Sequence, residues 1–147
     1  MPLFSSRQSF SSWPNPEIPA VAAGVYVIWN RHQLVYCGMS GRELERNSHK
    51  PKYGLVTRLA SHATGRLSGD QFCVYVANRF VIPALTPGQL QLFASGELRL
   101  DALTRQYIHD NLEYQFAVCQ SSGEAYELER QCRSGAIFQG KPFLNPL

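Results

Sequence analysis

Residues 24–38 of the chain read GVYVIWNRHQLVYCG. Two runs rich in β-branched and aromatic residues, 24–29 and 34–40, flank the polar segment NRHQ, and this pattern predicts a β-hairpin. Side chains alternate between faces along a strand, so a loop of three or five residues places Tyr26 and Tyr36 on one face of the sheet, whereas an even-numbered loop separates them. Core packing alone would also account for two strand tyrosines, so the rest of the sequence must decide whether they are functional.

The composition is that of a single globular domain, with 147 residues of which 44% are apolar. No apolar run is long enough to span a bilayer, so we expect no membrane partner. The four cysteines lack the close spacing of a zinc or redox motif, which predicts buried free thiols in a cytoplasmic protein.

Residues 1–21 are rich in serine and proline and predict a flexible N-terminal arm, which leaves residues 22–147 as the folded domain. Three aromatic residues, Phe4, Phe10 and Trp13, give the arm a means of docking on the domain or on a protein partner. A frayed tail is the simpler expectation.

Basic residues concentrate in the first part of the chain. Residues 1–66 hold eight Arg and Lys against three Glu, whereas the remainder holds six basic and eight acidic residues. This asymmetry suggests an anionic partner for the first half, although an ordinary solvated loop would have the same composition. The candidate DNA-binding residues, which would contact phosphates without reading sequence, are Arg42, Arg46, Lys50, Lys52 and Arg66.

Residues 54–66 predict an amphipathic helix with a buried apolar stripe at Leu55, Leu59 and Ala63. Arg58 and His62 are four residues apart and flank that stripe, so we expect both at the boundary between the helix and the domain.

The second half of the chain predicts one strand, two helices and a further strand in succession. The run 71–82 predicts a third strand, and 112–119 alternates as a half-exposed strand. Between these two runs, a helix is expected to begin at Thr86-Pro87 and to end at Gly96. Another short helix is expected over 101–110, with Asp101 as its N-cap.

The last predicted helix begins at Ser121, which stands in capping-box spacing with Glu124, and ends at Gly135. Its apolar stripe at Ala125, Leu128 and Cys132 is interrupted by Glu129. A carboxylate on a buried face is costly unless it is paired, hydrogen-bonded or bound to a metal, so Glu129 is a candidate functional residue.

These motifs, taken together and in order, resemble the GIY-YIG nuclease family. GVY (24–26) and YCG (36–38) are similar to its two name-giving motifs, and Arg58 and His62 in TRLASH to its catalytic arginine and the histidine that follows one turn later. Glu129 in EAYELE and Asn145 in KPFLNP match its metal-binding glutamate and its closing asparagine.

The resemblance implies an α/β (α+β) domain with a small central three-stranded, mainly antiparallel sheet flanked by helices. It implies a metal-dependent endonuclease that hydrolyses DNA, in which Tyr26 helps activate water within a network formed with Tyr36 and His62. Arg58 would stabilise the phosphate, and Glu129 would bind one Mg²⁺ or Mn²⁺. Asn145 would orient Glu129 or the phosphate, or simply close the chain.

Two other classes of protein stay open at this point. One is a non-catalytic nucleic-acid-binding module on the same scaffold. The other is an interaction protein whose N-terminal arm recruits a partner, on which activity would depend. The sequence also leaves open whether the DNA is duplex or single-stranded and whether the protein is a homodimer.

Overall fold

The structure is a computed structural model that describes residues 2–19, 23–41 and 54–147. Within these ranges the fold is mixed α/β, with one antiparallel four-stranded sheet and five α-helices. The strands are β1 (Gln8–Ser9), β2 (Ala23–Asn30), β3 (Gln33–Ser40) and β4 (Leu112–Cys119). The helices are α1 (Leu55–Ala63), α2 (Gln71–Val76), α3 (Pro87–Ser95), α4 (Leu100–Asn111) and α5 (Ser122–Ser134). In the described part of the chain, none of them has the length and apolar character needed to cross a membrane.

The β2–β3 hairpin is confirmed, and a β-bulge determines which way its tyrosines face. Its loop has only two residues, 31–32, a length that would separate the tyrosines in a regular ladder. Ile28 pairs with Tyr36, but the next pair skips Val35, so one extra residue enters β3. The bulge returns Tyr26 and Tyr36 to the same face, with ring centroids 6.3 Å apart.

The sheet, in the order β1-β4-β2-β3, lies between two layers of helix. On one face the core contains Tyr26 together with residues of α1, α2 and α4. On the other face α5 packs against Val25 and Cys37, which therefore point away from the tyrosines, as strand alternation predicts. This arrangement leaves β3 as an edge strand.

The prediction of a third strand over 71–82 is wrong. This segment forms α2, a π-helical turn (Ala77–Val81) and a 3-10 turn (Ile82–Ala84). Asp70 caps α2 by accepting a hydrogen bond from the backbone N–H of Cys73, and the buried residues Phe72 and Val76 recur at helical spacing. The expectation of three strands is corrected with it: β4 pairs with β2, and β1 adds a fourth strand beside β4.

Most of the other boundaries agree with the sequence. The helix after residue 54 and the strand at 112–119 are present, α3 has a capping box at Thr86, and α5 begins after Ser121 and ends at Gly135. The helix expected over 101–110 instead starts at Leu100, so its N-cap is Arg99.

The N-terminal segment differs from the expected free arm, because residues 2–19 pack on the domain. Phe10 is completely buried and its ring lies 4.8 Å from that of Tyr114. Gln8 and Ser9 pair with β4, and the backbone N–H of Ser5 donates to the carbonyl of Phe116. Of the two alternatives for its aromatic residues, docking on the domain is the one found.

The two motif glycines are explained by close packing. A Cβ atom at Gly38 would overlap the phenol of Tyr26, which lies directly across the β2–β3 ladder. A Cβ atom at Gly24 would meet the carbonyl of Ala117 and lie 2.6 Å from Cδ1 of Leu55. The glycines therefore provide the space in which the Tyr26 ring and helix α1 approach the sheet.

Replacing Gly38 by alanine should destabilise the protein by about 1–3 kcal/mol, because the new methyl group must displace the buried ring of Tyr26. Urea denaturation measures this change in the free energy of unfolding. Gly88→Ala is the matched control, because its Cβ would lie 3.9 Å from the nearest atom and alanine favours the helix. Equal stability of the two variants would contradict the packing argument.

Candidate active site at the edge of the sheet

A cleft of about 740 Å³ opens at the edge of β3 and draws its walls from both layers of helix. The C-terminal segment covers part of this edge, where the N–H of Leu144 donates to the carbonyl of Val35 over 2.8 Å. The cleft lies beyond this contact. Its lining residues are Tyr26, Tyr36, Cys37, Gly38, Met39, Ser40, Gly41, Gly54, Thr57, Arg58, Gln71, Tyr75, Glu129, Arg133 and Asn145.

Tyr26 begins a buried chain of hydrogen bonds. Its hydroxyl oxygen is 2.7 Å from Nε2 of His62, and Nδ1 of His62 is 2.7 Å from Oδ2 of Asp70. His62 is 2% exposed and Asp70 6% exposed. The hydroxyl of Ser61 donates a further bond to Oδ2 of Asp70. Sequence analysis named Tyr26 and His62, and the structure places them in direct contact.

Arg58 brings a positive charge to the two tyrosines. Burial raises the pKa of Tyr26 well above its usual value, and Arg58, which hydrogen-bonds its hydroxyl, acts in the opposite direction. Burial likewise raises the pKa of Tyr36 to about 12, again against the effect of Arg58. Both phenols are therefore protonated at neutral pH, and Tyr26 can receive a proton only if it gives its own to another group.

Glu129 lies on the opposite wall, on α5, with 12% of its side chain exposed. Its Oε1 is 3.6 Å from Nη1 of Arg133, one helical turn further along. Arg133 also donates from Nε to the carbonyl of Asn145. Glu129, the acidic residue that interrupts the apolar stripe, is thus paired with a cation at the cleft. Glu127 is largely exposed and pairs with Arg130.

Asn145 has a structural partner. Its side-chain amide donates to the carbonyl of Cys37 over 2.6 Å, and its amide oxygen accepts from the N–H of Cys37 over 3.1 Å. The side chain therefore continues the edge pairing of β3 and holds the C-terminal segment against the cleft. Of the roles predicted for Asn145, these two bonds fit the last, in which it closes the chain.

The donor set of the cleft fits a largely hydrated divalent cation. In the described ranges, no group of three or more His, Cys, Asp or Glu side chains could enclose a metal ion. A single carboxylate at an open cleft suits Mg²⁺, which keeps several of its own waters and needs one or two protein carboxylates. Among the described residues that line the cleft, Glu129 would supply that carboxylate, shared between the ion and Arg133.

Of the five candidate DNA-binding residues, the structure describes Arg66 alone. Arg66 is exposed after α1 and does not line the cleft. Arg42, Arg46, Lys50 and Lys52 lie outside the described residues.

Two residues of the site, Asp70 and Arg133, are not among those that the sequence predicts. The composition of residues 71–82 favours a strand, so the N-cap spacing between Asp70 and Cys73 does not stand out in the sequence. Arg133 stands four residues after Glu129, and this spacing alone predicts the ion pair.

Protein stability should fall as the pH drops below about 6.5, the ordinary pKa of histidine. Burial lowers the pKa of His62 in the fold, against the opposing effect of Asp70, so protonation favours the unfolded chain. The loss is about 1.4 kcal/mol per pH unit in the range where only the unfolded chain takes up the proton. Urea denaturation between pH 8 and 5 measures it. His62→Gln should show a flatter dependence, and the same slope in both proteins would contradict this assignment.

We compared the chain with family models, with curated proteins and with solved structures, and found no match in any of the three.

Proposed function

We propose that the protein is a metal-dependent endonuclease that hydrolyses DNA phosphodiester bonds by a mechanism of the GIY-YIG type. The observation that carries the proposal is the convergence of distant residues on one cleft. Tyr26, Tyr36, Arg58, Glu129 and Asn145 come from four separate parts of the chain and line the same opening, and His62 lies directly behind Tyr26.

The chemistry of the cleft suits a phosphodiester. Arg58 provides a planar cation that can donate to two phosphate oxygens at once, and Arg133 provides a second one on the opposite wall. Positive charge placed where negative charge develops stabilises the transition state of phosphoryl transfer. The basic residues of the first half of the chain favour an anionic polymer as substrate.

Each residue of the site has a separate role in the proposed reaction. Tyr26 orients the attacking water and exchanges protons with His62, while Arg58 holds the phosphate and stabilises the Tyr26 hydroxyl as it loses its proton. Tyr36 packs beside Tyr26 and fixes its ring. Glu129 would hold Mg²⁺ or Mn²⁺, which when bound supplies Lewis-acid stabilisation of the phosphate.

The alternative is a module that binds nucleic acid on the same scaffold without cutting it. Binding alone requires cations and stacking surfaces. It gives no reason to bury a histidine and a carboxylate behind a tyrosine hydroxyl, where both must be removed from water. The buried chain therefore favours catalysis over binding.

Glu129→Gln should lower DNA cleavage by about 100-fold or more, because the amide keeps the shape of the side chain but loses the charge that holds the metal. Supercoiled plasmid, a short duplex and single-stranded DNA are incubated with Mg²⁺, with Mn²⁺ or with EDTA. The matched control is Glu127→Gln on the exposed face of the same helix, which should cleave like the wild type.

The outcomes of this assay separate the two functions. Cleavage that requires metal and Glu129 supports the nuclease, and the preferred substrate shows whether it acts on duplex or single strands. Salt-sensitive DNA binding without cleavage by any protein would overturn the proposal in favour of the binding module.

Tyr26→Phe should fold like the wild type and lose cleavage, because the ring that packs on Gly38 remains while the hydroxyl bonded to His62 is gone. Single-turnover cleavage and thermal unfolding are measured side by side. Removal of a positioned general acid-base group typically costs about 100- to 10,000-fold in rate. Unchanged cleavage would exclude Tyr26 from the chemistry.

A further inference from the structure

Asp70 belongs to none of the motifs that identify the cleft, yet it ends the hydrogen-bond chain that starts at Tyr26. We propose that Asp70 is a positioning residue: its carboxylate holds the proton of His62 on Nδ1, so that Nε2 is free to accept the proton of Tyr26. This inference rests on the proposed hydrolysis for its catalytic consequence, and on the hydrogen-bond geometry and burial of the two side chains for the state of the histidine.

The carboxylate of Asp70 accepts at both oxygens. Oδ1 accepts from the backbone N–H of Cys73, and Oδ2 accepts from the hydroxyl of Ser61. Although burial works to raise it, the pKa of Asp70 falls to about 2 through its bonds with His62, Ser61 and Cys73. An ionised carboxylate has no proton to donate, so the bond to His62 requires the imidazole proton on Nδ1.

The neutral imidazole then has its lone pair on Nε2, 2.7 Å from the Tyr26 hydroxyl. His62 is 2% exposed, and burial lowers its pKa, so the neutral form is present at physiological pH. Tyr26 is therefore the donor in this bond. A histidine with the opposite tautomer would point an N–H at Tyr26 and could not take its proton.

The proposed proton transfers need no reactant other than water and the phosphodiester. The water oxygen forms a bond to phosphorus as one water O–H bond breaks, and that proton passes to the Tyr26 oxygen. The Tyr26 proton passes to Nε2 of His62, and the imidazolium formed is stabilised by the Asp70 carboxylate. The P–O bond to the leaving oxygen breaks and that oxygen takes a proton from solvent. His62 later returns its proton to the Tyr26 oxygen, which releases the proton it took from water to solvent in the cleft.

The ionisable groups around His62 come from every element packed against it. Tyr26 faces it from β2 and Tyr36 from β3, with rings 5.4 and 5.7 Å from the imidazole. Arg58 lies one turn earlier on α1, and its charge lowers the pKa of His62 in addition to the effect of burial. From α2, the thiol of Cys73 donates to the carbonyl of His62. Of these neighbours, Asp70 is the acceptor at Nδ1.

A purely structural role would not need this arrangement. The N-cap of α2 requires only the bond from Cys73 to Oδ1 of Asp70. The second oxygen is committed to His62 and Ser61, side chains of α1, at the cost of burying a charge at 6% exposure. The cap and the contact with His62 are thus separable functions of one residue.

Asp70→Asn tests the proposal because the cap fixes the orientation of the new amide. The amide oxygen must stay at the position that accepts from Cys73, so the NH₂ group takes the place of Oδ2 and donates to Nδ1 of His62. The proton of His62 should then move to Nε2. Two-dimensional ¹⁵N–¹H NMR of the imidazole reports which nitrogen carries it, in wild type and variant, with no substrate present.

Cleavage is measured with the same proteins. We expect kcat to fall by about 100-fold or more with little change in KM, since a base of the wrong tautomer removes only a transition-state interaction. Asp70 raises the pKa of His62, so this pKa should be lower in Asp70→Asn. The pH at which protonation of His62 abolishes the residual activity should therefore be lower in the variant than in the wild type. Ser61→Ala removes the other side-chain bond to Oδ2 and should leave the proton on Nδ1, because the Asp70 carboxylate still accepts from His62.

A proton found on Nε2 of the wild-type histidine, or left on Nδ1 in Asp70→Asn, would overturn the assignment whatever the enzyme does. Wild-type kcat in Asp70→Asn would also overturn it. If the wild type cleaves no DNA under any metal condition, the proposed function fails and the catalytic role of Asp70 with it, while NMR still decides whether Asp70 sets the tautomer. Unfolding curves confirm that the variants are folded.

Discussion

The packing of the Tyr26 ring on the backbone of Gly38, with its hydroxyl against His62, is the constraint from which the site follows. The ring is completely buried, yet it forms part of the cleft, because it fills the space left by the missing side chain of residue 38. Gly38 thus gives the Tyr26 ring its place against the sheet, and Gly24 does the same for Leu55 of α1. Arg58 and His62 then reach the phenol because they are one turn apart on that helix.

The hairpin shows that a single extra residue decides whether the two tyrosines share a face of the sheet. A two-residue loop with a regular ladder would have placed Tyr36 on the face of α5, away from Tyr26. The single extra residue at Val35 shifts the side-chain alternation of β3 from Tyr36 onward, and this shift brings Tyr36 to the face of Tyr26. Bulges of this kind leave little trace in the sequence, since every residue from 33 to 40 suits a strand, so the face of the tyrosines could be stated only as an alternative.

The sequence predicted most of the fold where apolar periodicity was clear. The stripe at Leu55, Leu59 and Ala63 and the capping signals at Thr86 and Ser121 led to helices that the structure contains. The failure at 71–82 has a physical cause, because β-branched and aromatic residues favour strands only when they pack on a pleated surface. Here the N-cap at Asp70 and the burial of Phe72 and Val76 outweigh that preference.

The site was predictable to a similar degree. Its six candidate residues could be named because each belongs to a short motif, but a motif carries no information on what stands behind it. The carboxylate of Asp70 supports His62 from a loop eight positions later, and the misassigned strand concealed it. Helical spacing predicts that Arg133 pairs with Glu129, since the two residues are one turn apart. The packing of residues 2–19 depended on a pocket for Phe10 that only the assembled sheet and helix α4 provide.

In the proposed mechanism, the burial of Tyr26 and the transfer of its proton are linked. Enclosing the Tyr26 phenol strengthens the fold, but it also raises the pKa of the hydroxyl, so a tyrosine alone would be a poor acceptor of a proton from water. The same enclosure brings the hydroxyl within 2.7 Å of an imidazole that burial keeps neutral. The positive charge of Arg58 and the carboxylate of Glu129 stay at the open side of the cleft, where the proposed mechanism places the phosphate and the metal ion. In that mechanism, proton transfer takes place among buried groups and charge stabilisation takes place at the open cleft, and this division allows a small domain to combine a dry core with a site that must admit water.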